Sequence, residues 1–264
     1  MAKDNQHYVP KGYLRGFTIS GEKSLIWQYD KNTGEVSRHP KSINQICSEH
    51  QYYAQQYQDG SIDKETVENA FHEIENKTPR VIKKIHGLKN AEKVLISEDD
   101  KAVLSFFTAI QLTRVPNFRN GIEEMHRKVV EIGLSHLVQK TREKGTLPDS
   151  IDSLYQEGQI NIEIESFVSL QPMLTTAKEG AIRLLNKVWH FAAPAKGMSF
   201  VTSDNPVYFQ TPEKYRELAP QVGPFHPASE VTLPLRNDLL LICSPDIGYS
   251  EEEHNLINMT AVQL

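Results

Sequence analysis

Cysteine is almost missing from this 264-residue chain: only Cys47 and Cys243 occur, far apart and in no Cys-x-x-Cys pair. That scarcity excludes a disulfide-stapled secreted scaffold and makes a reducing, cytoplasmic setting the expectation. No basic-then-apolar leader is present, since Met1-Ala2-Lys3-Asp4-Asn5-Gln6 is polar, so no signal peptide is expected. Long apolar runs are lacking as well. A stretch such as Leu239–Cys243 falls far short of the ~20 residues that cross a bilayer, and no membrane partner is expected. The chain has no P-loop, no dinucleotide-binding glycine fingerprint, no His-Glu-x-x-His and no Gly-x-Ser-x-Gly. Nucleotide-driven motors, Rossmann oxidoreductases, zincin proteases and α/β-hydrolases all lose support. No internal repeat, low-complexity tract or long linker divides the sequence.

What is present is ordinary for a folded protein: 39% hydrophobic and 24% charged residues, which excludes global disorder. A chain of this length buries roughly three quarters of its unfolded surface and needs no staples. The net charge of −5 and pI of about 6.1 weigh against a dedicated nonspecific nucleic-acid binder with a basic face, and leave a local basic patch open.

The order of elements predicts a single α+β domain over residues 1–264. A strand-rich part covers 1–60, a helical part 61–190, and a second strand-rich part 191–264 closes with a short helix from Glu251. In the first part, Ser24–Asp30 reads as a strand, Lys31-Asn32-Thr33-Gly34 as a turn and Glu35–His39 as the return strand. Gln51–Tyr57 reads as a third strand. Val9 before Pro10 is pushed toward extended backbone, and Pro10 opens a helical turn carrying Tyr13, Leu14 and Phe17. Ser61 or Asp63 caps a helix with Val67, Phe71, Ile74, Ile82 and Ile85 on one face, and Pro79 is expected to kink or interrupt it. Ser97-Glu98-Asp99-Asp100 starts a helix with Val103, Phe106, Phe107 and Ile110 at helical spacing. Pro116 starts another, carrying Ile122, Met125, Val129 and Leu137. Leu174, Ala177, Ala181, Leu184, Leu185 and Val188 mark a further amphipathic helix. Met198–Thr202, Pro206–Gln210, Val231–Leu235 and Leu239–Cys243 are strand candidates. The β–α–β order predicts a mainly antiparallel sheet formed from both chain ends, with the helices inserted between.

Two strings concentrate functional atoms. Gln6-His7-Tyr8-Val9-Pro10, followed by Tyr13-Leu14-Arg15-Gly16-Phe17, supplies an imidazole, phenols and a guanidinium. Histidine moves protons near neutrality, and arginine holds a phosphate or carboxylate through parallel hydrogen bonds. The same residues also suit a second role, anchoring the terminus in the core while His7 and Arg15 pair with carbonyls or a carboxylate. Thr202-Ser203-Asp204-Asn205-Pro206-Val207 places a polar turn between strands. Asp204 is a candidate base or metal ligand and Asn205 a candidate positioning group, although an Asx turn alone accounts for Asp-Asn-Pro.

These strings, with Trp27-Gln28-Tyr29-Asp30-Lys31, Tyr52-Tyr53, Trp189, Phe200-Val201 and Leu233-Pro234-Leu235, resemble the bacterial and fungal family called domain of unknown function 4238. The resemblance covers most of the chain, and its specific parts are the His-Tyr-Val-Pro and Thr-Ser-Asp-Asn-Pro pieces. It implies no established activity or substrate. Similar proteins run further past the last strands, which implies a short C-terminal element here.

Weaker signals are Cys47-Ser48-Glu49-His50, at most half of a four-ligand zinc site with only remote His7 or His39 to join it, and Arg119 with His126 seven residues on. The latter spacing resembles the Arg-x(4–6)-His motif of HEPN ribonucleases, which cleave RNA without metal; Gly121 weakens the helix there, and a solvated charged face is the usual explanation for such a pair. His190, in alternating Val188-Trp189-His190-Phe191, and Glu230, beside His226-Pro227, are candidate pocket residues, each with a plain structural alternative.

The leading expectation is a phosphodiester-acting enzyme, a nuclease or toxin-like effector. His7 is its acid/base, Arg15 the phosphate clamp, Asp204 and Asn205 the carboxylate and positioning group, and Tyr8, Tyr13, His190 and Glu230 the substrate contacts. Its partner is nucleic acid or another phosphate-containing ligand. No cofactor is implied, with a divalent metal left open. The rival is a noncatalytic ligand- or protein-binding module whose same residues form a buried polar network, and the HEPN-like ribonuclease is a third reading. All but the last require the His7–Arg15 segment to lie against the Asp204-Asn205 turn.

Overall fold

A computed structural model describes residues 5–57, 59–88, 94–216 and 222–246. The first part holds short strands: β1 (Asn5–His7), β2 (Leu25–Ile26), β3 (Tyr29–Asp30), β4 (Glu35–Val36), β5 (Lys41–Ser42), β6 (Ser48–His50), β7 (Gln55–Gln56) and β8 (Ile62–Asp63), with a one-turn helix α1 (Lys11–Leu14) after β1. The helices α2 (Thr66–Gly87), α3 (Glu98–Thr113), α4 (Pro116–Glu143), α5 (Asp149–Gln156) and α6 (Leu170–Leu185) follow. The last part contains β9 (Val188–Ala192), β10 (Tyr208–Gln210), α7 (Glu213–Arg216), β11 (Glu230–Arg236) and β12 (Leu239–Ser244). The architecture is α+β with antiparallel pairing throughout.

The β10-β11-β12-β9 sheet comes from the last part alone, and the early strands pair among themselves as β1-β6, β2-β5, β3-β4 and β7-β8. The two ends therefore meet through side chains and single backbone bonds instead of a shared ladder. At Gly16 the two backbones bond directly: its carbonyl accepts from Asn237 N at 3.1 Å. A Cβ there would sit 3.1 Å from the Leu235 carbonyl, so a side chain would wedge the ends apart.

Alternation along the strands explains which sheet face is covered. Val231, Leu233, Leu235, Leu239, Leu241 and Cys243 join one core with Leu104, Phe107 and Ile110 of α3 and Met173, Ala177 and Leu184 of α6, as a period of two dictates. The helices α3 and α6 make the most extensive contact between elements. Phe225 closes onto α6 at Gly180, where any Cβ would overlap its ring.

Several sequence expectations are corrected. Ser24–Asp30 is broken into β2 and β3, and Met198–Thr202 is an extended loop with no strand partner among the described residues. Pro79 neither ends nor interrupts α2. It forfeits one backbone bond, but Ile74, Thr78, Val81, Ile82 and Ile85 are buried on either side of it, and tertiary packing of that face holds the helix together. Most clearly, α4 buries only Arg119 and Val138. The apolar residues that this helix carries are at the surface, with Met125 52% and Val129 64% exposed, and Ile132 beside them 60%. The helix expected from Glu251 lies outside the described residues. Among those residues no helix is long and apolar enough to cross a membrane.

Candidate functional site at the junction of the chain ends

The N-terminal string is fixed by β1 pairing with β6, His7 opposite Ser48. The chain then turns so that both Tyr8 N and Val9 N donate to Cys47 O, at 3.0 and 3.4 Å. Cys47 adopts φ 52°, a left-handed conformation uncommon for a residue with a Cβ, and its thiol and the Tyr8 hydroxyl are close enough to influence each other's titration. The Asp204 charge acts on both groups. Tyr8 and Cys47 thus lie within electrostatic range of Asp204, whereas no Asp204 influence acts on His7. Successive strand residues point to opposite sides, so bringing Tyr8 to the turn carries the imidazole away from it.

His7 Nε2–H donates to Ile43 O at 3.1 Å. Burial, then Lys11 and Arg114, push the imidazole below its ordinary value, partly offset by the Ile43 bond and Glu75. Tyr13 binds the C-terminal part directly: its hydroxyl donates to Pro234 O at 2.6 Å and accepts from Thr202 Oγ1 at 2.9 Å. Pro234 lies where the β11–β12 register shifts, a position that leaves its carbonyl available for a side-chain donor. Phe200 N bonds Asn237 O at 2.8 Å, which seats the 200–205 loop on the same hairpin. Within the loop, Asn205 N donates to Ser203 Oγ, and that hydroxyl donates to Asn205 O. The turn is thus closed by Ser203, and Asp204 and Asn205 stand exposed.

Arg15 is also exposed, and no ion pair joins it to Asp204 among the described residues. Glu230 accepts from Gln210 Nε2 at 3.3 Å and Ser244 Oγ at 3.1 Å; it is four residues, about 13 Å, along β11 from Pro234. His190 lies opposite Ile242 on β9, the far edge of the sheet from β10. The structure therefore groups Tyr8, Tyr13, Asp204 and Asn205, and separates His190 and Glu230 from them.

Beneath the junction is a polar network that sequence reasoning missed. Arg114, fully buried, donates from Nε to Tyr8 O at 2.5 Å and from Nη1 to Glu75 Oε1 at 2.7 Å. The Gln111 amide, oriented with its oxygen toward Arg114, accepts at 2.6 Å from Nε and 3.0 Å from Nη2. Gln6 is saturated by Tyr53 N, Lys64 O and Glu68. Arg119 lies 4.2 Å over the Tyr52 ring and donates to Tyr52 O and Ser169 Oγ. His126 Nδ1 donates to Ile122 O at 2.8 Å. The Arg119 guanidinium thus faces the interior, away from any open RNA-binding surface. The legible signal for the network was Gln111 with Arg114, three residues apart at the C-terminal end of α3: two strong polar side chains beside buried Ile110 and Leu112 need partners.

Burial raises the Tyr8, Tyr13, Tyr52 and Tyr53 phenols and pushes the Cys47 thiol up to about 12, with Asp204 adding to the shift and the Tyr8 hydroxyl opposing it. Both cysteines are free thiols. Among the described residues no group of three His, Cys, Asp or Glu side chains is arranged to hold a metal ion, and His50 of the Cys-x-x-His string is exposed.

No curated protein and no solved structure matches the chain. A family profile described as "Protein of unknown function (DUF4238)" matches residues 5–262, a span that includes both ends of the junction. With nearly its whole length matched, the chain belongs to that DUF4238 family.

Proposed function

We propose that the protein is a noncatalytic binding module, its two distinctive strings forming the scaffold that closes the fold. The observation that carries this reading is the commitment of the polar atoms at the junction to internal partners: Gln6, His7, Tyr13 and Arg114 each bond to backbone carbonyls of distant segments. The Cys47 thiol, pushed up to about 12, and the Tyr8 phenol keep their protons at neutral pH, so neither supplies an anionic nucleophile. A general base needs reach to its proton, and the His7 ring is held against Ile43 O, on the side of the strand away from the Asp204 turn.

A phosphodiester-acting enzyme is the second reading, favoured by the convergence of Tyr8 and Cys47 with the exposed Asp204 turn. Single-stranded RNA, duplex DNA and a chromogenic phosphodiester, offered with and without divalent metal, separate the two. The binding module leaves all three intact, and Asp204→Asn changes nothing. Hydrolysis that Asp204→Asn abolishes at an unchanged melting temperature overturns the binding-module reading in favour of the enzyme.

A further inference from the structure

Between α5 and α6 the chain runs through residues 159–165 with no turn, bend or strand partner among the described residues. Burial along it alternates: Gln159, Asn161, Glu163 and Glu165 are exposed, and Ile160, Ile162 and Ile164 are half-buried. A period of two belongs to a strand, and a row of isoleucines suits one. The ends are tied down, since Gln159 N donates to Leu154 O at 2.9 Å and Glu165 O accepts from Val168 N at 3.1 Å. Between those ties, Ile162 O accepts from Arg127 Nη1 of α4 at 2.7 Å. In an extended strand, the N–H and C=O of one residue point to one edge and those of its neighbours to the other. With Ile162 turned to Arg127, the Asn161 and Glu163 backbone groups lie on the opposite edge. They have no backbone partner there among the described residues. Such a row of unpaired donors and acceptors is a template for a further strand.

We infer that this edge pairs with the same segment of a second copy of the chain, antiparallel about a two-fold axis at Ile162. The sequence is self-complementary in that register: Asn161 faces Glu163 of the second copy, Gln159 faces Glu165, and Ile160 faces Ile164. Amide donors then stand opposite carboxylate acceptors, and no like charges meet. Other registers lose this match. Parallel in-register pairing sets Glu163 on Glu163 and Glu165 on Glu165, and sliding the antiparallel pair two residues toward the C-terminus sets Glu163 opposite itself. Asn161 Nδ2 donates to Glu163 Oε1 of its own strand at 3.1 Å, and its second amide hydrogen is left for the Glu163 of the second copy. Asn161 and Glu163 of each copy form two doubly hydrogen-bonded pairs across the axis. The outer edge of each strand is then the one that Arg127 occupies, so the contact closes as a dimer instead of growing into a fibre. One strand pair is marginal by itself, which makes the dimer weak and concentration-dependent. The inference stands whether or not the Tyr8 junction is catalytic.

The test is sedimentation velocity of the full chain from about 1 µM to about 500 µM, the range in which weak interfaces associate, with amide hydrogen exchange read at both ends of that range. The parent is expected to pass from monomer to dimer, and the Asn161 and Glu163 amides to become protected only at the high end. Asn161→Glu sets like charges opposite each other at both Asn161–Glu163 contacts of the dimer and is expected to weaken it roughly tenfold. Asn161→Lys sets opposite charges there and is expected to strengthen it by a similar factor. Asn161→Pro removes an N–H that has no backbone partner within the monomer and is expected to abolish the dimer. Asn161 is exposed, and an unchanged thermal melt verifies that each variant is folded. A chain that stays monomeric at the highest concentration overturns the proposal. Charge variants that leave association unaltered, or that move it in one direction, overturn it as well, because they place any dimer contact elsewhere. So does equal protection of the two amides at every concentration in a monomer, which assigns the edge to another segment of this chain.

Discussion

Around Tyr8 the interior holds Arg114, Arg119, Gln111 and Gln6, each at most 4% exposed. Along α4 the surface carries Met125, Val129, Val130, Ile132 and Leu137, each at least 45% exposed. One region has strong polar groups inside, the other has aliphatic groups outside. In the first, every buried cation finds carbonyls, a carboxylate or an aromatic face, which is the condition for placing charge away from water. In the second, the described residues leave the aliphatic side chains largely uncovered. The helix is 28 residues long, about 42 Å, and buries only Arg119 and Val138. Burial therefore follows the availability of partners more closely than it follows residue type.

The comparison breaks first at Arg114. Replacing it with Ala leaves Glu75, Gln111 and the Tyr8 carbonyl without their donor and is expected to cost about 3–5 kcal/mol, read from denaturant midpoints. A change under about 1 kcal/mol would mean that the pair behaves like a surface ion pair and that the inside-out contrast is illusory. A smaller effect tests the same network through pH. The His7 imidazole is held below its ordinary value chiefly by burial, so the unfolded chain binds a proton more readily than the folded one. Stability from this group is complete above the unfolded value near 6.5 and is lost as pH falls through the folded one. Between pH 7 and 5 the melting temperature is expected to fall, and His7→Gln to flatten that part of the curve; a parallel curve in the variant removes His7 from the network. Smallest of all is Ile132→Gln on α4, expected to shift stability by no more than about 0.5 kcal/mol. A loss of about 2 kcal/mol or more would show that the face is covered in solution.

Where the sequence could be read by itself, the reasons were local. Ser97 accepts from Asp100 N at the start of α3. Asp63 accepts from Glu65 N and Thr66 N ahead of α2, its carboxyl held down at about 2. Asp30 and Gly34 close the β3–β4 turn. Caps and turns depend on residues within four positions, and β11 and β12 were visible as apolar runs between Pro, Asn and Asp. The docking of the N-terminal arm was legible in outline, because Tyr13 and Phe17 needed a core and the phenol a partner.

The candidate site was legible only in part. Its strings were found, but the strand phase at His7 and Tyr8 was not, and one residue of phase exchanges which side chain reaches the turn. Arg114 was passed over because its partners lie 39 and 106 positions away, at Glu75 and Tyr8. The exposure of the apolar stripe of α4 was not legible, because periodicity reports that a face exists without reporting what stands opposite it.

The sequence alone determined the α+β class, the capped helix starts, the tight turns and the existence of two polar strings. Tertiary structure decided that Tyr8 and not His7 feels the Asp204 charge, that Arg114 and Arg119 are interior, that α2 survives Pro79 and that the described residues leave the apolar face of α4 exposed. The physical reason is range. Hydrogen bonds of caps and turns close within a few residues, whereas desolvation of a charge or a methyl group depends on every segment that packs around it.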